Sequence, residues 1–236
     1  MPQDGRDNDG NITQTVAGVK QLTSIEGKFK GVRQGTGVGD NRYSTHSRTT
    51  ITTSSKIIVM AAAEIWFLRA EAALRGFTSE DVESCYKQGV TTSFAQWDAS
   101  GVSEYLESEN TPADYVDTFD KNFDAKATTS ITPKWDNTAD NETKLERIIT
   151  QKWLAIYPEG CEAWAEQRRT GYPKLFKVVV NNSSNAISTD DMIRRVFFNQ
   201  DYITNNKPLY DALVSKLGGM DTGGTRLWWD TGKNNF

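Results

Sequence analysis

The sequence predicts a mainly α-helical protein with αα-hairpin packing and long irregular loops. Three observations carry this. Apolar residues recur at helical spacing in two consecutive stretches, at Ile57, Ala61, Ile65, Leu68 and Ala72, then at Val82, Tyr86, Val90, Phe94 and Trp97. Only a short link around Gly76-Phe77 separates them, and helices joined so tightly run antiparallel. After a long interval without helical period, the pattern returns at Asn141 with Leu145, Ile149, Lys152 and Ile156 on one face.

The elements follow in order. Residues 1–55 are rich in Gly, Asn, Asp, Ser and Thr and read as loops with one or two short strands. Asp4, Asp7 and Asp9-Gly10 form a turn cluster. Aligning Gly10 with a calcium-loop glycine would put Gly5 and Val16 at ligand positions, which defeats that reading. In the first helix Ser54 or Ser55 caps the start, Gly76 marks the exit, and Ala62, Ala63, Ala70 and Ala73 line a second face. Small side chains let helices approach closely, so this helix is expected to be central. Thr78 with Asp81 resembles a capping box for the second helix, with Trp97 expected in the core. Short helices are expected around 102–108 and 112–119, followed by an extended loop to 140. Pro158 ends the helix begun at Asn141. A further helix covers 160–169, with Gly171 at its exit. A last one runs from about Pro208 to Leu217, closed by Gly218-Gly219. The division by composition is an irregular segment, 1–55, and a helical domain, 56–236.

Composition narrows the function. The 236 residues hold 27 Lys+Arg against 31 Asp+Glu, a net charge of -4, which argues against a nucleic-acid partner. The longest apolar run ends at Glu64, far short of the ~20 residues a membrane span needs. The first residues, MPQDGRDNDG, have no signal-peptide character. Cys85 and Cys161 are expected as two free thiols in the core, with a single bridge between them as the open alternative. The single histidine, His46, lies in a polar loop and has no nucleophile beside it. No phosphate loop, nucleophile elbow or zinc-helix motif occurs, and no metal or cofactor is implied.

The strongest local signal is QKWLAIYPEGCEAWAEQRRTGYPKL, residues 151–175. Glu162–Glu166 and Trp164–Arg168 are i,i+4 neighbours on one short helix. One reading makes Glu162 and Glu166 an acid/base pair. The favoured reading makes them partners of Arg168 and Arg169 in a hydrogen-bonded clamp, because each acid has a cation nearby.

With AAAEIWFLRAEAALRGF (61–77), YKQGVTTSFAQW (86–97), RRVFFNQDYITNN (194–206) and GGMDTGGTRLWWD (218–230), this stretch resembles the C-terminal half of SusD/RagB-type outer-membrane lipoproteins. Asn199 and Asp201 stand where the family commonly has proline and glutamate. The resemblance implies a helical fold with tetratricopeptide-like pairs at the surface of a Gram-negative outer membrane. It implies a lipid anchor absent from this chain, and capping of a TonB-dependent SusC-like transporter. It implies binding of glycan, or in some members peptide, without catalysis. The family's N-terminal half, with signal peptide, lipidated cysteine and most helix pairs, is not matched. The chain is therefore expected to be a truncated product, an excised part or a remnant, with apolar faces of 56–97 exposed and prone to self-association.

Within that resemblance Glu162, Trp164, Arg168, Arg169, Trp228 and Trp229 are assigned to scaffold. Ligand contacts are expected from the variable segment 98–140, where eight acids against Lys121 are interleaved with Tyr105, Tyr115, Phe119 and Phe123 up to Asp124. Sugars present apolar C–H faces ringed by hydroxyls, so an aromatic ring beside amide or carboxylate groups is the required chemistry. Trp135, flanked by Lys134, Asp136 and Asn137, is the first platform, with Tyr105 and Tyr115 next. The alternatives are a helical protein-interaction module without a small ligand and, third, a glycoside hydrolase.

Overall fold

A computed structural model of the chain describes residues 12–16, 19–23, 30–36, 46–47, 49, 52–55, 57–117, 120–232 and 234–236. The Asp4–Gly10 turn cluster and Phe119 lie outside the described residues. Two compact units emerge. One comprises Met1–Ile57, Asp114–Ala127 and Phe176–Ser184; the other comprises Ile58–Ala113, Thr128–Leu175 and Asn185–Phe236. The division by composition differs from this: 114–127 and 176–184 group with the N-terminal stretch.

In the first unit, strands β1 (Ile12–Val16) and β2 (Val19–Thr23) form an antiparallel hairpin, paired from Ile12–Thr23 to Val16–Val19. Arg33 ties the rest together. Its guanidinium donates to the carbonyls of Lys177, Phe123 and Asp124 at 2.8–3.1 Å. His46 is buried, and burial, then the charge of Lys30, holds its pKa below the usual value. Of the helix expected over 112–119, the described residues 112–117 are not helical. Tyr115 instead bridges antiparallel to Ala125, and Asp114, Asp117 and Asp124 accept backbone N–H groups of Ala127, Asp120 and Asp117. Such side-chain-to-backbone bonds compete with the helical ladder.

The second unit is helical: α1 (Ala62–Leu74), α2 (Val82–Gln96), α3 (Val102–Leu106), α4 (Asn141–Ala155), α5 (Gly160–Thr170), α6 (Gln200–Asn205) and α7 (Lys207–Leu217). Helices α1 and α2 form the αα-hairpin, α4 packs on both, and α5 packs on α4. The caps follow sequence chemistry with two corrections. Helix α1 starts at Ala61 without a side-chain cap, so neither Ser54 nor Ser55 serves. Asp81 itself caps α2, accepting from the Ser84 N–H at 2.8 Å, in place of a Thr78 box. Asp140 caps α4, and Gly171 and Gly218 end α5 and α7 at positive φ.

The core joins Ala63, Phe67 and Ala70 of α1, Cys85, Tyr86 and Val90 of α2, and Leu145, Ile148 and Ile149 of α4. Gly89 sits mid-helix because a Cβ there would meet the Phe67 ring at 2.8 Å. A mid-helix glycine costs about 1 kcal/mol relative to alanine, which close packing of the aromatic ring offsets. Tyr86 is fully enclosed and donates its hydroxyl to the Pro133 carbonyl at 2.6 Å. Cys85 and Cys161 are both free thiols, but only Cys85 is buried.

Of the two faces expected on α1, the alanine face points inward: Ala63 and Ala70 are buried with Phe67. From the periodic face Ala61 is buried, whereas Ile65 and Leu68 are 42% and 37% exposed, and Val59 and Met60 ahead of the helix are exposed too. That leaves an uncovered apolar stripe, and exposed apolar faces associate. The chain is expected to self-associate in sedimentation velocity, and Ile65→Lys with Leu68→Glu to shift it to monomer. A distribution unchanged by the double substitution would rule the stripe out as the cause.

Candidate functional site

Two polar frames hold the helices of the second unit. The first surrounds Lys152 of α4, whose side chain is 1% exposed. Its ammonium lies 3.4 Å from Glu64 of α1 and 3.3 and 3.5 Å from Glu166 and Glu162 of α5. Arg169 extends the frame. It grips Glu71 through both terminal nitrogens at 2.7 Å and Glu166 at 2.8 Å, while Arg75 bonds Glu71 at 2.8 Å. Burial alone would raise the Glu71 carboxyl, but hydrogen bonds and charge from Arg169 and Arg75 hold it below the usual range. An acid/base pair needs a carboxyl with a free proton-transfer path. Glu162 and Glu166 are instead spanned by a buried cation, as in a structural clamp. The partner of Glu162, however, is Lys152, not Arg168 or Arg169.

The second frame ties the C-terminal stretch to α5. The Arg168 guanidinium lies 3.7 Å from the Trp164 ring centre and 5.0 Å from that of Trp229, and it donates to the Arg194 carbonyl. Arg194 pairs bidentately with buried Asp230 at 2.7 Å, and Arg226 reaches Asp230 at 2.6 Å. Arg195 pairs with Asp221, whose carboxylate also accepts the Phe198 N–H. Thus Trp164, Arg168, Arg169 and Trp229 act as scaffold, as expected. Trp228 does not: it is 91% exposed.

Of the four residues expected to bind ligand, Trp135, Tyr105 and Asn137 lie in the second unit and Tyr115 in the first. Trp135 is corrected outright. It is 8% exposed, its ring packs on Tyr86 at 5.1 Å, and its indole N–H donates to Asn137 Oδ1 at 2.9 Å. Asn137 is at the surface, but its amide also donates to Glu83 at 2.7 Å. Tyr105 packs on Phe94 at 5.2 Å and exchanges hydrogen bonds with Gln151. Tyr115 belongs to the first unit. It is partly exposed between Phe176 and Lys30, and burial pushes its hydroxyl up to about 12.

What the second unit does offer at its surface is another aromatic pair. Trp97 and Tyr157 are 49% and 43% exposed, with ring centres 6.2 Å apart and planes inclined by 48°. Trp97 is therefore not core. Asp98 and Glu159 flank the pair in the chain. Two half-exposed rings suit the apolar C–H faces of adjoining sugars. Among the described residues, no cluster of His, Cys, Asp and Glu could hold a metal ion, and no helix is long and apolar enough to cross a membrane.

A family model of SusD-like proteins, described as SusD and RagB outer membrane lipoproteins, matches residues 8–230. The chain belongs to the SusD-like family. A solved SusD homologue from Bacteroides vulgatus is 52% identical over 88% of this chain and 44% of its own, with a TM-score of 0.82. A chitin-binding SusD homologue from Flavobacterium johnsoniae is 46% identical over 76% of this chain and 38% of its own, with a TM-score of 0.73. Another homologue, from Bacteroides thetaiotaomicron, is 34% identical over 96% of this chain and 49% of its own, with a TM-score of 0.83. The SusD-like chain thus spans less than half the length of each of these structures. No curated relative matches it. The helical frame and its family assignment agree with the sequence reading; the surface aromatics are where it went astray.

Proposed function

We propose that this SusD-like chain binds glycan without catalysis at the outer-membrane surface and serves delivery to a TonB-dependent SusC-like transporter. The observation that carries the reading is the exposed Trp97–Tyr157 pair, in a chain 46% identical to a chitin-binding homologue. The pair is the main platform. Asn137, at the surface of the same unit, is a secondary contact, Tyr115 is a separate candidate contact in the first unit, and Tyr105 and Trp135 support structure. The lipid anchor that holds family members to the membrane is the only membrane attachment the reading requires. Retention in gels cast with glycol chitin, xylan, pullulan or polygalacturonate tests the platform. At least one polysaccharide should slow the protein, and Trp97→Ala and Tyr157→Ala should each release it. No retardation by any of them, or retardation indifferent to both substitutions, contradicts the proposal. The apolar stripe at Ile65 and Leu68 favours a second reading, a helical module that docks protein. A monomer that retains no polysaccharide but captures SusC-like transporter would support that alternative.

A further inference from the structure

A cavity of about 300 Å³ opens beside the C-terminal stretch, lined by Phe198, Leu213, Lys216, Leu217, Arg226, Leu227 and Trp228. It shares Arg226 and Phe198 with the second polar frame and no residue with the Trp97–Tyr157 platform. Three features give it chemical character. Trp228 offers an almost fully exposed indole as one wall. Phe198, Leu213 and Leu217 supply apolar surface opposite polar groups, a combination suited to a ring with C–H faces. The charged groups of the lining are both cations, Lys216 and Arg226.

Those cations differ in state. Arg226 is spent on structure, paired with Asp230 at 2.6 Å and Asp191 at 2.9 Å. Lys216 stands in the last turn of α7 with no ion-pair partner among the described residues. Its ammonium is thus available to a ligand anion. The floor is rigid for the same reason that Arg226 is spent: the Arg194–Asp230–Arg226 frame and the Arg195–Asp221 pair fix 194–198 against 221–230. A pre-set wall lowers the entropy cost of binding.

From this geometry we propose a second glycan subsite that selects an acidic sugar, with the pyranose face stacked on Trp228 and its carboxylate held by Lys216. The proposal rests on the glycan-binding reading above and adds the ligand class. The volume is at the small end of ligand pockets, which fits one or two sugar rings.

Calorimetric titration with a short oligogalacturonate and with its methyl-esterified form tests it. Esterification removes the charge and keeps the rings. The acid form should bind the wild-type chain, and esterification should weaken it roughly tenfold or more, a loss of about 1.4 kcal/mol per tenfold. Trp228→Ala and Lys216→Gln should each reproduce that loss for the acid form, while Lys216→Gln leaves the ester unchanged. Far-UV circular dichroism should be unaltered, since both side chains are exposed. Acid-form binding indifferent to both substitutions overturns the subsite. If binding then still depends on Trp97, the glycan reading survives alone; if no glycan of the gel panel or titration binds, both fall.

Discussion

Replacing Lys152 by methionine is expected to cost about 3–5 kcal/mol of stability, because it leaves buried Glu64 without its cation and strips buried Glu166 of one of two. The ammonium serves Glu64, Glu162 and Glu166 together, and two of those acids are themselves buried. Methionine matches the volume, so the loss is electrostatic and not a cavity effect. Urea titration at pH 7 measures the loss, and neutralising the acids distinguishes the two. Adding Glu64→Gln and Glu166→Gln should restore much of the loss at pH 7. A deficit unrelieved by those substitutions would contradict the electrostatic account.

The second large effect is expected at Asp230. Asp230→Ala strips buried Arg194 of both bidentate bonds and Arg226 of one, and an unpaired buried charge again costs about 3–5 kcal/mol. The lesion should be local at first. Residues 218–236 should become open to limited proteolysis while α1, α2 and α4 stay protected from hydrogen exchange. In the wild-type chain the same pair supplies an acid limit. Burial would raise the Asp230 carboxyl, but hydrogen bonds and charge from Arg194, then Arg226, hold it below its usual value. A depressed carboxyl contributes stability above its unfolded pKa of about 3.9 and loses it as pH falls through the folded one. With Glu71 shifted the same way, these two groups predict little slope between pH 5 and 7 and a steep loss below about pH 4.

The helices were legible where caps and breakers agreed with the apolar period. Asp140, Pro158, Gly171 and Gly218 bracket α4, α5 and α7 almost to the residue. The inward face of α1 was not legible, because apolar residues surround the helix and its buried face carries Glu64 and Glu71. Lys152 had a readable signal that went unused. A lysine in line with Leu145, Ile149 and Ile156 must be buried, and a buried lysine demands carboxylates. Trp135 misled because it sits in a bent, irregular stretch whose side-chain directions follow no fixed period. Polar Lys134 and Asp136 say nothing of where the ring between them points, and Asn137 was there to accept its N–H. The exposure of Trp97 and Trp228 depends on what packs nearby in space, which spacing along the chain does not encode.

The central claim is a division of labour: ion pairs hold the helices, and surface aromatics meet the ligand. Calorimetric titration of an uncharged oligosaccharide, from a neutral polysaccharide that retards the protein, into wild type, Trp97→Ala and Glu162→Gln, tests it most directly. The account predicts saturable heat that vanishes in Trp97→Ala, persists in Glu162→Gln, and leaves no steady heat of turnover once the site is full. Binding intact in Trp97→Ala, or turnover heat abolished by Glu162→Gln, would contradict it.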